Sequence, residues 1–217
     1  MNGFFNIKKF SSNGAGDDFF KSAIKDGSIN NILDKLELKQ EARCSNRIFD
    51  NVAAMILDRL FGLPDCTDPY YLYQTGVDRA APLTFLALLD IDSNTDSYIE
   101  DWSWTGVANL ISNIVSSTAL KSFYIDAFSS SIERNATRDE VYYLSRYLYL
   151  PSEAISDDIR SVGIYWRRRS SNDLGSVLTN GRVGRVRIKD LNGNNVELTK
   201  NAEEVLLFDY TFKLISV

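Results

Sequence analysis

The residues best spaced for chemistry are Asp90, Asp92, Asn94, Asp96 and Asp101. Oxygen donors at alternate positions resemble a calcium loop, because a hard cation wants several carboxylates converging on it. Three positions depart from that pattern. Thr95 stands where the sharp turn wants glycine, Ser97 where an apolar residue pairs with a second loop, and Asp101 where a bidentate glutamate closes the site. The stretch therefore reads as a solvated acidic loop, and no metal or other cofactor is expected. The chain contains no histidine. That removes the usual general base, the histidine-dependent triads and the commonest zinc ligand. Phosphate-binding glycine loops, a dinucleotide fingerprint and a nucleophile elbow are absent too. An enzyme is not expected, although carboxylates could in principle act as bases.

The second chemistry is cationic. Residues 160–189 hold Arg160, Arg167, Arg168, Arg169, Arg182, Arg185, Arg187 and Lys189, with Asp173 as the only acid, so eight charges less one give +7. The 159 residues before them hold 14 basic and 23 acidic side chains, a net of −9. Such polarity points to docking. Arginine suits an acidic protein surface because its planar fork pairs carboxylates and stacks on aromatic rings. The candidate interaction residues are Trp166, Arg167, Arg168, Arg169, Arg182, Arg185 and Arg187, together with the aromatic anchors Trp102 and Trp104. Nucleic acid is disfavoured by the overall charge of −5. An anionic ligand on the arginine face remains the alternative.

A chain of 217 residues with 44% hydrophobic and 24% charged residues has the composition of a soluble globular protein. Cys44 and Cys66 are too few for a disulfide framework and read as buried thiols in a reducing compartment. No signal peptide or membrane span is expected.

The elements that would position these residues read as α+β, with a helical N-terminal two thirds and a small antiparallel, β-rich C-terminal part. Residues 1–16 are expected to form a polar arm. Residues 17–129 form a helical region and residues 130–217 a mixed, strand-rich one. Asp17 caps a helix ending at Asp26-Gly27, and Ser28 caps another carrying Ile29, Ile32, Leu33 and Leu36. Further helices are expected over Ile48–Leu60, over Leu83, Leu86 and Leu89 after Pro82, over Val107–Ile114, and from Ser117 through Phe128. Ser130–Arg134 fits a short strand. Thr137–Glu140 has the form of a capping box, and Val141–Leu150 fits helix or strand. Asn192–Asn195 reads as a hairpin turn. Phe208, Tyr210, Phe212 and Leu214 alternate as a strand.

From Ala119 onward the chain runs through Leu120–Phe128, Ile132-Glu133, Leu150-Pro151, Gly163, Leu174-Gly175, Gly184–Ile188 and Phe208–Leu214. The order of these features resembles the type VI secretion baseplate subunit TssG family. The resemblance implies a structural wedge subunit of a contractile injection machine. Its partners would be a TssF-like wedge subunit, a TssK-like adaptor, the spike hub and a second copy of itself. It would lie in the cytoplasm, in a membrane-docked baseplate. A baseplate protein of a contractile phage tail is the closest alternative.

Overall fold

The computed structural model describes residues 2–48, 83–90, 120–123, 126–137, 139–167 and 180–215. Among them the chain is mainly antiparallel β-sheet, so the expectation of a helical N-terminal two thirds is wrong. The elements, in order, are β1 (Asn2–Ser11), α1 (Asp17–Asp26), α2 (Ile29–Leu33), β2 (Leu38–Ile48), β3 (Leu83–Leu89), β4 (Leu120–Ser122), β5 (Ser129–Arg134), β6 (Glu140–Tyr149), β7 (Ile155–Ile159), β8 (Ser161–Arg167), β9 (Asn180–Arg187), β10 (Leu198–Lys200) and β11 (Glu204–Ile215). Nine strands form one sheet in the order β4-β3-β8-β9-β2-β1-β11-β6-β5, and β7 pairs separately with β10.

The stretch read as a polar arm contributes β1, which lies between β2 and β11 near the middle of the sheet. Its lysines and asparagines hid an alternation in which Phe5 and Ile7 are buried. The helix expected after Pro82 is β3. Leu86, Ala87, Leu88 and Leu89 are all fully buried. A strand covered on both faces loses the period of two that would distinguish it from a helix. The helix expected from Ser117 through Phe128 instead contains β4, followed by a turn closed by the Asp126 N–H donating to the Ser122 carbonyl at 3.0 Å. The supposed capping box is the β5–β6 turn. Thr137 and Asn135 donate to the Asp139 carboxylate, and the Glu140 N–H donates to Asn135 Oδ1 at 3.2 Å. Residues that hydrogen-bond their own neighbourhood serve a turn as well as a helix start. The helices expected over Ile48–Leu60 and Val107–Ile114 lie outside the described residues, except that Ile48 ends β2.

Both N-terminal helices form where expected, but α1 starts at Asp17 after the N-cap position Gly16, and neither Asp17 nor Ser28 makes a side-chain cap hydrogen bond. α1 stops at Gly27, whose φ of 79° is the left-handed cap that glycine adopts without strain. In α2, Ile29 and Leu33 are buried. The ambiguous Val141–Leu150 stretch is almost all β6, and Ser129–Arg134 is β5.

The sheet has to curl. Residues 123–128 join β4 to β5, the two strands at its opposite edges. Laid flat, nine strands would hold those edges about 38 Å apart at a spacing of ~4.8 Å, whereas seven extended residue steps reach only about 24 Å. Phe123 shows the consequence. Although it follows β4, its ring lies 5.2 Å from Tyr147 and 5.6 Å from Tyr210, on β6 and β11. Inside the curl, Phe5, Ile7, Leu86, Leu88, Tyr147, Tyr149, Val162 and Phe208 form the main core. Outside it, Phe20, Ala23, Ile29 and Leu33 of the two helices pack on Phe10, Leu148, Val205 and Leu207. Among the described residues, no helix is long and apolar enough to cross a membrane.

Candidate interaction surface

The candidate surface is built on β9, which lies between β8 and β2. In the register, Arg182 is opposite Tyr165 and Arg185 is opposite Gly163 on β8. The β8–β9 ladder shifts between Ile164 and Tyr165, so Val183 is an extra residue on β9.

On its other side β9 meets β2, where Arg185 is the register partner of Arg47. Four residues back along β2, the Arg43 N–H donates to the Lys189 carbonyl at 3.0 Å. The sheet thus gathers Arg43, Arg47, Arg185 and Lys189 from two distant stretches of chain. Arg43 is largely exposed and pairs at 3.1 Å with Glu41. A cleft of about 390 Å³ lies here, lined by Arg43, Cys44, Ser45, Val186, Lys189 and Asp190.

Two local groups limit the chemistry of this cleft. The Asp190 carboxylate accepts from the N–H groups of Asn192 and Asn194 at 2.9 and 2.8 Å, and from Asn194 Nδ2. The Asn194 bonds, first of all its side chain, hold this carboxyl below its usual range, so it stays an anion in the turn. Cys44 is buried, and desolvation pushes its thiol up to about 12. It is a packing residue and not a nucleophile.

The arginines named from sequence have different fates. Arg187 is buried, and its guanidinium donates to the carbonyls of Arg160 and Val196. It fastens β9 to its surroundings and is unavailable for docking. Trp166 and Arg167 end β8, where the register pairs them with Thr84 and Leu83 on one side and with Gly181 and Asn180 on the other. Arg168, Arg169, Trp102 and Trp104 lie outside the described residues. So does the acidic loop apart from Asp90, which is exposed at the end of β3. Sequence reasoning missed Arg43 and Arg47. They sit in a stretch of mixed charge, and only the β2–β9 register brings them to the basic strand.

No family model matches the chain, and neither does any curated protein or solved structure.

Proposed function

We propose that this chain is a non-catalytic structural subunit that docks an acidic protein surface through β2 and β9. The observation that carries this reading is the opposition of Arg47 and Arg185 in one register, beside Arg43 and Lys189. Basic residues at facing register positions suit an acidic partner, and arginine supplies the fork that pairs its carboxylates. The machine that the resemblance implies is the wedge of a type VI secretion baseplate, with TssF-like, TssK-like and spike-hub partners. The sequence features behind that resemblance are Ile132-Glu133, Leu150-Pro151, Gly163, Gly184–Ile188 and Phe208–Leu214, with Leu174-Gly175 outside the described residues. The helix expected over Leu120–Phe128 is no longer among its supports.

The test is an affinity pulldown of the tagged full chain from its native cells, repeated with Arg47→Glu/Arg185→Glu. Sheath, hub or other baseplate subunits should come down in fixed ratio with the unmodified chain. They should be lost with the variant while its circular dichroism is unchanged. Recovery of nucleic acid instead, released steeply by salt, would replace this reading with that of an anionic-ligand module.

A further inference from the structure

Among the described residues β5 ends the sheet, and all six of its residues are exposed, Ile132 at 71%. A free strand edge is a template for another strand, and proteins commonly blunt it with lysine, proline or a bulge. β5 carries no lysine or proline, its ladder has no register shift, and only Glu133 and Arg134 of its six residues are charged. Its sequence is Ser-Ser-Ser-Ile-Glu-Arg, and its ladder with β6 runs unbroken from Ser129↔Arg146 to Arg134↔Val141.

The direction of its backbone groups can be worked out. Hydrogen-bonded and non-hydrogen-bonded pairs alternate along an antiparallel ladder. Just beyond the strand, the Asn135 N–H donates to the Glu140 carbonyl at 3.2 Å. The pair 135↔140 continues the β5–β6 register, so 133↔142 and 131↔144 are the hydrogen-bonded pairs within the strand. Ser130, Ile132 and Arg134 therefore turn their N–H and C=O groups away from β6, towards the open edge.

We propose that this edge pairs with the β5 of a second copy of the chain, antiparallel, about a two-fold axis through Ile132. Outward groups can bond only to outward groups, so the even positions must face even positions. Among such registers, the one that aligns all three on each copy sets Ser130 against Arg134, Ile132 against Ile132, and Arg134 against Ser130. Every outward N–H then meets a C=O. The two exposed isoleucines meet on the axis, Glu133 falls opposite Ser131, and no like charges stand directly opposite. The strand is thus self-complementary, as a two-fold interface requires. A ladder this short buries less than the ~1,000 Å² expected of a stable interface. Free chains therefore associate weakly, and the contact fills when copies are held close. This inference is independent of the basic surface on β2 and β9.

The test uses the full chain with Cys66→Ser. Hydrogen-bonded antiparallel partners have Cα atoms about 5.5 Å apart, within the roughly 4.4–6.8 Å that a disulfide spans. Ile132→Cys should therefore give a covalent dimer under mild oxidation. Ser131→Cys should not, because its own counterpart lies on the diagonal at about 7–8 Å. Unmodified chain should gain average mass by light scattering between micromolar and millimolar concentration. Ile132→Pro should stay monomeric, since it removes an outward N–H and leaves the β6 bonds intact. A monomer at all concentrations, equal cross-linking at both positions, or unchanged self-association of Ile132→Pro would overturn the proposal.

Discussion

Arg146 ties three elements together. Its Nε and Nη2 donate to the Asp209 carboxylate at 2.5 and 3.2 Å, across the β6–β11 ladder where the two residues are register partners. Its Nη1 donates to Asn30 of α2, and the guanidinium lies 5.8 Å from the centre of the Phe128 ring. A lysine cannot make the fork. Arg146→Lys should therefore lower stability by about 0.5–1.5 kcal/mol in urea unfolding, the modest figure reflecting a partly exposed pair. Lys200 is a buried counterpart that donates to the carbonyls of Pro151 and Asn201 at 3.3 and 3.2 Å. Desolvation pulls its pKa down to about 8, against the pull of Glu153, Glu204 and Asp17. The unfolded chain keeps that proton up to about pH 10.4. Between about pH 8 and 10.4 the unfolded state thus holds more protons than the folded one, and this residue's contribution to stability rises with pH. Lys200→Met should remove that rise, seen as the difference between the pH profiles of Tm for the two proteins. Neither role was legible in the sequence. Arg146 and Lys200 look like ordinary surface charges until the strands that bury or pair them are placed.

β11 shows what an element's pattern does and does not reveal. The alternation of Phe208, Tyr210 and Phe212 identifies a strand, and Phe208 and Tyr210 do face the inner core. Over its first half, however, Val205 and Leu207 also pack beneath the helices, so both faces are apolar. Phe208 is fully buried, with Tyr149 edge-on at 5.5 Å. Phe208→Ala should cost about 3–5 kcal/mol. Ile215→Ala, at a half-exposed position of the same strand, should stay within about 0.5 kcal/mol. Denaturation midpoints of the two variants would separate core from rim. α1 and α2 were legible because their signals are local: a glycine stop and a short apolar stripe. β3 was not, because doubly buried leucines carry no period. β1 was missed because its lysines fall on both faces: Lys8 lies opposite Leu207 on the outer face, and Lys9, on the face of Phe5 and Ile7, pairs with Glu204 and the Thr199 carbonyl.

At the scale of the whole molecule, the curl encloses phenols. Tyr147, Tyr149 and Tyr210 are buried, and desolvation, first among the causes, lifts all three well above the usual value near 10. Stability that rests on a raised acid pKa is complete below the unfolded value and is lost as pH climbs past it. The protein should therefore weaken above about pH 10, where the unfolded chain begins to ionise these groups. Phenolate absorbance near 295 nm should rise in two steps, exposed tyrosines first and the buried three together with unfolding. A single smooth titration with the far-ultraviolet spectrum unchanged would show that the interior is wet. The gathering of the basic residues was the part of the site least open to sequence reading. Adjacent arginines could be counted, but their opposition to Arg47 is a property of strand order.

That strand order also sets a timetable for synthesis. β1 leaves the ribosome ahead of β2 and can pair with it as soon as it follows, yet its other neighbour, β11, comes after every other described element. Until then β1 offers the nascent chain a bare strand edge, and the helices lack Val205 and Leu207 beneath them. The growing polypeptide is thus most adhesive while it is still tethered, and a trigger-factor-like chaperone or slowed translation would matter most before residue 204 has emerged.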